Sequence, residues 1–266
     1  MRLAPAQAAE YERKGWIVLP EALAPAELDV LEDAYAAVAR RDGPEVAREP
    51  NGEPHVVYGM HLWDERFATL ARHPALLEPV MQLLGGGAFV HQSRVNTKQT
   101  GGSIVAWHQD WGTYHRVDGV PEPRGVMIGV FLDDVNACNA PILAVPRSHR
   151  EVLVSEATID PGVPDARGAA RHRFDIAPAT MKRLVDAQGL EAIVGRRGSA
   201  LLMNMAVVHG SSVNIAPVRR VILYLNVSAC DNRGETFVRP EWQAARDFRP
   251  LAPAPADCLL RFKRAA

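Results

Sequence analysis

The sequence predicts an α+β fold: a jelly-roll (double-stranded β-helix) core with N-terminal helices packed outside it. Helical periodicity gathers before Gly85-Gly86-Gly87, and short β-rich runs follow it. The two kinds of segment do not alternate, as a doubly wound sheet would require. Pro5 suits a first helical turn, and the helix-compatible stretch it opens ends at Lys14 and Gly15. Trp16 to Leu19 is a short β-rich run closed by Pro20. From Ala24 to Arg40, Leu28, Leu31, Ala34, Tyr35 and Val38 recur at three- and four-residue steps, which predicts a scaffold helix. Arg41 to Glu53 reads as a charged loop, and about Asp64 to Leu84 as helical with a break near Pro74. Strands are predicted over Ala88 to Asn96, Ile104 to Trp107, Gly125 to Leu132, Ile142 to Val145, Ala200 to Met203 and Val221 to Val227. Ser155 to Arg171, with two prolines and two glycines, reads as a long surface loop, and the proline-bearing tail from Arg249 as extended.

Of 266 residues, 47% are apolar and 23% charged, so a single domain spanning 1–266 is expected. Thirty Lys and Arg against 31 Asp and Glu give a formal charge of −1. That balance supplies no field for a nucleic-acid backbone or an anionic membrane. No run approaches the roughly 18 apolar residues of a spanning helix, and the N-terminus lacks a secretory pattern; a soluble, cytoplasmic monomer or homodimer is expected. Cys138, Cys230 and Cys258 are widely spaced and without a CxxC pair, which argues against a disulfide framework or a thiolate metal site.

Trp107-His108-Gln109-Asp110-Trp111 carries the densest chemical signal. Two residues apart on an extended strand, His108 and Asp110 would project to one face and could hold one ion. An H-x-D alone is common, so a third donor is needed. His209 is the best candidate, after the apolar Ala206-Val207-Val208; His149, His115, Asp118, Asp133 and Asp134 are rivals. Arg220 opens a strand expected to pair with the His209 segment, where a guanidinium could grip a carboxylate by two hydrogen bonds. Two histidines and one carboxylate fill three positions of octahedral iron(II), leaving three for a bidentate 2-oxo acid and oxygen.

The stretches VHQSRVNTK (Val90 to Lys98), WHQDWGTYHRVDGV (Trp107 to Val120), VPRSHR (Val145 to Arg150), VVHGSSVNIAPVRR (Val207 to Arg220) and RPEWQAARDF (Arg239 to Phe248) resemble the phytanoyl-CoA dioxygenase superfamily. Within it they are most similar to bacterial trans-4-proline hydroxylases and ectoine hydroxylases. The resemblance implies a dioxygenase that uses iron(II), 2-oxoglutarate and O2 and releases succinate and carbon dioxide. It implies His108, Asp110 and His209 as metal ligands and Arg220, rather than Arg219, as the partner of the cofactor's distal carboxylate. Asn96 and Lys98 match polar residues beside that cofactor, and Gln92 a glutamine that contacts substrate. Tyr114 stands where ectoine enzymes carry tryptophan, Val120 replaces a usual methionine, and the Pro-Gly-Ser-His turn is here Pro146-Arg147-Ser148-His149.

The carboxylate at Asp110 favours hydroxylation over halogenation, because related halogenases lack it. A small amino-acid-like substrate, proline- or ectoine-like, is expected, with Gln92 and Arg94 offsetting its desolvation and Trp107 and Trp111 as apolar walls. Structural alternatives stand beside these roles: Gln92 and Asn96 as amides bonded to neighbouring backbone, Lys98 and Arg94 as residues reaching solvent. Alternative functions are tailoring of a larger natural-product scaffold by hydroxylation, desaturation or ring chemistry, and a non-catalytic metal-binding jelly roll.

Overall fold

The computed structural model describes residues 2–153, 157–160 and 173–263. Its N-terminal part holds helices α1 (Pro5–Lys14), α2 (Pro25–Ala39), α3 (Met60–Trp63), α4 (Glu65–Leu70) and α5 (Pro74–Leu84), with strands β1 (Trp16–Leu19), β2 (Val46–Arg48) and β3 (Pro54–Tyr58) among them. Next come β4 (Ala88–Lys98), β5 (Val105–His108), α6 (Asp110–Asp118), β6 (Gly125–Phe131) and β7 (Ile142–Ala144). After these lie β8 (Ala157–Asp160), β9 (Arg173–Ile176), α7 (Pro178–Gln188), β10 (Glu191–Ile193), β11 (Ala200–Asn204), β12 (His209–Ser211) and β13 (Arg220–Ala229).

Helix ends follow local chemistry. Proline opens α1 and α2, and Gln7 and Glu27 fold back to accept from the backbone N–H of Ala4 and Ala24, each at 2.9 Å. Gly15 ends α1 in the left-handed region at φ 96°, where a side chain would be strained. His73 caps α5 by accepting from Ala75 N–H at 3.3 Å, which produces the break expected near Pro74.

A seven-stranded sheet runs β1-β11-β6-β13-β4-β3-β2, a four-stranded sheet β10-β7-β12-β5, and β8 pairs with β9; every pairing is antiparallel. Alternation along β13 sorts the core. Val221, Leu223, Leu225 and Val227 join the cluster that receives Leu28 and Leu31 of α2 and Leu76 of α5. Ile222 and Tyr224 point the other way, into a cluster with Ile142 and Ala144 of the smaller sheet. The larger sheet is thus apolar on both faces, and its interior strand β6 is buried at all seven positions. Polar residues on the inter-sheet face have to earn their place by pairing.

Four expectations change. Arg41 to Glu53 contains β2, because Val46 and Ala47 pair with Val57 and Val56 at the sheet edge. Helix α7 went unforeseen; Met181 and Leu184 bury one face on Val145 and Val208. The Arg220 strand does not pair with the His209 segment: β13 lies between β6 and β4, whereas β12 lies between β7 and β5. Of the loop expected over Ser155 to Arg171, Ala157–Asp160 form a strand, and the remaining positions lie outside the described residues.

Arg147 occupies the turn after β7 at φ 65°, the left-handed conformation that costs a residue bearing a Cβ roughly 1–2 kcal/mol. Its side chain is exposed, and its N–H donates to Lys14 O at 2.9 Å. Arg147→Gly keeps that hydrogen bond and should raise stability in urea unfolding by up to about 1 kcal/mol, part of the relief being returned as glycine's extra unfolded-state entropy.

Candidate metal centre

His108 ends β5 and lies opposite His209, the first residue of β12. Their rings sit 4.3 Å apart between centroids. Gln109 is extended (φ −112°, ψ 127°) and the chain then enters α6, so Asp110 is the first helical residue, not a strand residue as expected. The correction leaves the outcome intact: one donor atom from each of His108, Asp110 and His209 lies within 4.8 Å of the others, and all three residues are buried. Asp110 gains from the positive end of the helix it opens.

The donors are pre-oriented. His108 Nδ1 lies 2.8 Å from Ala106 O and His209 Nδ1 3.0 Å from Val207 O, so each Nδ1–H donates to a carbonyl and each Nε2 keeps its lone pair. Burial and the neighbouring His108 push His209 down to about 4, which keeps its ring neutral and able to ligate. Burial would raise Asp110, but chiefly the Arg94 guanidinium opposes it, and the carboxyl is held well below the usual range. Asn226 Nδ2 donates to Asp110 Oδ2 at 2.8 Å, and Arg94 Nη2 stands 3.6 Å from the same oxygen.

A β-bulge determines what lines the site. β4 loses register at His91, so Val90 joins the helix-side core while Gln92, Arg94, Asn96 and Lys98 face the smaller sheet. Across β13 they oppose Asn226, Tyr224, Ile222 and Arg220 in that order. Arg94, which sequence left open as a surface residue, is buried: Nη1 donates to Gln92 Oε1 (3.0 Å) and Asn226 Oδ1 (2.9 Å), and its guanidinium lies 4.8 Å from the Tyr224 ring centroid. Gln92 Oε1 also accepts from the Tyr114 hydroxyl at 3.3 Å, and Gln92 Nε2 donates to Gln243 O at 2.6 Å.

At the other end of the same strand pair, Lys98 and Arg220 are in register and almost wholly buried. Lys98 Nζ donates to Ser212 O at 2.5 Å, and Arg220 Nε has no partner among the described residues. Neither forms an ion pair with a carboxylate among those residues, although the field of Glu49 reaches Lys98. Burial and the Arg220 charge push Lys98 down to about 7. Two cations buried without a counter-ion are costly, and a bound carboxylate would offset that cost. The next-door Arg219 points outward instead, to Glu32 at 2.6 Å and Asp133 at 3.2 Å.

Several residues singled out in the sequence sit away from the three donors. Trp107 alternates with His108 and packs with Val145 and Val208 on the α7 side of the smaller sheet, so it does not line the space between sheets. Asp118 and His115, rivals for the third ligand, lie on α6, and Asp118 is buried. It accepts from Arg239 Nε at 2.8 Å and from His91 Nε2 at 2.9 Å, with Arg239 Nη2 closer still. Trp111 packs with Tyr114, Val120 and Met205 and stacks on His115. His149 packs in the turn beside Gly15, away from the three donors. Sequence reasoning missed Asn226, although an amide inside the apolar run Val221 to Val227 is the kind of exception that marks a site.

The donor set and the two unneutralised cations suit iron(II) and a 2-oxo dicarboxylic acid. The family model for phytanoyl-CoA dioxygenase (PhyH) matches residues 11–222. An L-proline trans-4-hydroxylase of Streptomyces griseoviridis is 33% identical over 256 residues, covering 94% of this chain and 95% of its own. An ectoine dioxygenase of Halomonas elongata is 33% identical over 262 residues, covering 96% and 78%. The crystal structure of EctD from S. alaskensis with bound Fe superposes with a TM-score of 0.81 at 27% identity, over 95% of this chain and 87% of that one; the structure with 2-oxoglutarate and 5-hydroxyectoine gives 0.79, covering 95% and 86%. No helix among the described residues is long and apolar enough to cross a membrane.

Removing the Asp118 carboxylate should leave Arg239 buried and unpaired. Asp118→Ala is expected to cost about 3–5 kcal/mol in urea unfolding, against less than about 1 kcal/mol for the exposed ion-pair partner Asp134→Ala.

Proposed function

The chain belongs to the phytanoyl-CoA dioxygenase family and is an iron(II)- and 2-oxoglutarate-dependent dioxygenase, and we propose that it hydroxylates an unactivated C–H bond of a small amino-acid-like molecule. With iron and 2-oxoglutarate bound, the centre supplies an oxidative decarboxylation that yields succinate and carbon dioxide and transfers one oxygen atom to the substrate. In this proposal His108 Nε2, Asp110 and His209 Nε2 hold the metal. Arg220 and Lys98 hold the distal carboxylate of the cofactor, with Asn96 on the strand between the two ends; its Oδ1 is buried and has no partner among the described residues.

The observation that carries the substrate reading is the saturated polar cluster beside Asp110. Gln92 Oε1 already accepts twice, and one Nε2–H is engaged by Gln243 O. What remains to Gln92 among the described residues is a single amide N–H, which suits an acceptor such as a carboxylate oxygen; the Arg94 guanidinium, bonded to Gln92 Oε1, already has its charge answered by Asp110. Tyr114 fills the space beside His91, at 4.4 Å between ring centroids, and braces Gln92. A compact, carboxylate-bearing substrate fits this arrangement, and Trp107 has no part in it.

Cofactor binding should depend on pH through Lys98. Its lowered value, about 7, leaves the free amine increasingly neutral above that pH, and an arriving carboxylate must restore the ammonium. The dissociation constant for 2-oxoglutarate, read by calorimetry on the cobalt(II)-loaded protein, should be flat below pH 7 and rise by up to about tenfold per pH unit above it. Lys98→Met should bind weakly with that slope removed. Arg220→Ala should cost about 2–4 kcal/mol of 2-oxoglutarate affinity and Arg219→Ala less than about 1 kcal/mol. Equal losses at the two arginines would reverse the assignment.

Substrate class is tested by succinate formation with iron(II), O2 and 2-oxoglutarate across free amino acids, cyclic imino acids including L-proline, and ectoine. Mass spectrometry reads the gain of one oxygen. Coupled turnover of one small zwitterion is expected; coupling only to a bulky or carrier-linked compound would contradict the small-substrate reading and leave the dioxygenase assignment intact.

A further inference from the structure

Gln109 stands between two of the proposed metal ligands and breaks a local rule. It is the residue that precedes the first turn of α6, where a short oxygen-bearing side chain normally caps the free N–H groups, yet it makes no such bond. Its carboxamide points into the protein, 3% exposed. Nε2 donates to Ala206 O at 2.6 Å and to Glu151 O at 2.9 Å, and Oε1 accepts from Leu153 N–H at 3.2 Å. Both amide hydrogens and the oxygen are thereby used, by partners 42 to 97 residues away.

One partner bears directly on the centre. Ala206 precedes Val207, whose carbonyl orients His209 through Nδ1. Glu151 is itself tied to Arg183 of α7. One side chain therefore binds the turn that carries His108 and Asp110 to the turn that carries His209, and both to the Glu151–Leu153 stretch. We infer that Gln109 is a positioning residue of the metal centre: its carboxamide holds the two ligand-bearing turns at the separation one ion requires, a role for which α6 forgoes its cap. A satisfied buried amide suits that task because any shift of one turn would strand a donor or an acceptor.

This inference rests on His108, Asp110 and His209 being the metal site, and cobalt(II) tests the two separately. Parent protein should bind one cobalt(II) ion, and His108→Ala should abolish it; failure here would remove the metal-site assignment and this inference with it. Gln109→Ser offers α6 a better cap while deleting the clasp, and Gln109→Met keeps the volume without the hydrogen bonds. Both should raise the cobalt(II) dissociation constant by about 10- to 100-fold and alter the ligand-field absorption of the bound ion. Gln82→Met, which removes an amide clasp on the Leu3 backbone far from the centre, should leave both within about twofold, the expected size for a merely structural hydrogen bond. Gln109 variants that fold and bind cobalt(II) with parental affinity and spectrum would overturn the proposal. So would failure of both to fold by circular dichroism, since the carboxamide would then serve the fold as a whole.

Discussion

The ion pair between Asp110 and Arg94 is the constraint around which the inter-sheet space is arranged. A carboxylate cannot be buried between two apolar sheets without a cation and hydrogen-bond donors, and a guanidinium cannot be buried without acceptors. Arg94 answers Asp110 at 3.6 Å, Asn226 donates to the same oxygen, and Gln92 and Asn226 accept from Arg94. Strand alternation puts Gln92, Arg94 and Lys98 on this face, and the bulge at His91 separates them from Val90, which faces the helices. Through Arg94, the oxygen of the proposed metal ligand and the amide proposed to meet substrate belong to one hydrogen-bonded group. A change in either is felt by the other, which is a physical reason for metal chemistry and substrate choice to be coupled.

Charge is also distributed unevenly along the strand pair β4 and β13. Near Asp110 it is balanced; toward Lys98 and Arg220 it is positive, and no carboxylate among the described residues pairs with either. An ion with a net positive charge is accommodated at the first end and an anion at the second. The fold provides this polarity because even-numbered residues of β13 all face inward, so that Arg220 and Asn226 look into the same space at different heights. Arg219 is turned out by the same alternation and is fixed there by Glu32 and Asp133.

The sequence was most legible where chemistry is carried by residue type. His108, Asp110 and His209 could be paired from spacing and context because few arrangements place two imidazoles and a carboxylate beside apolar strands. Helices α1 and α2 were legible from prolines, periodicity and Gly15. The strand-to-helix switch at Gln109 was not, because Trp107 to Trp111 fits an extended strand as well as a helix start, and Gln109 is a poor cap. The side of the sheet on which Trp107 and Gln92 fall was illegible for another reason. A strand buried on both faces shows no polar alternation, and a one-residue bulge inverts the assignment of everything beyond it. The partners of β13 depend on contacts across the chain that no local pattern records.

The most direct test is a crystal structure of the protein with manganese(II) and 2-oxoglutarate. The account predicts one ion held by Nε2 of His108, Nε2 of His209 and the Asp110 carboxylate, with the distal carboxylate of 2-oxoglutarate between Lys98 and Arg220. An ion bound elsewhere, or a cofactor whose distal carboxylate lies on Arg94 and leaves Lys98 and Arg220 facing each other alone, would contradict it.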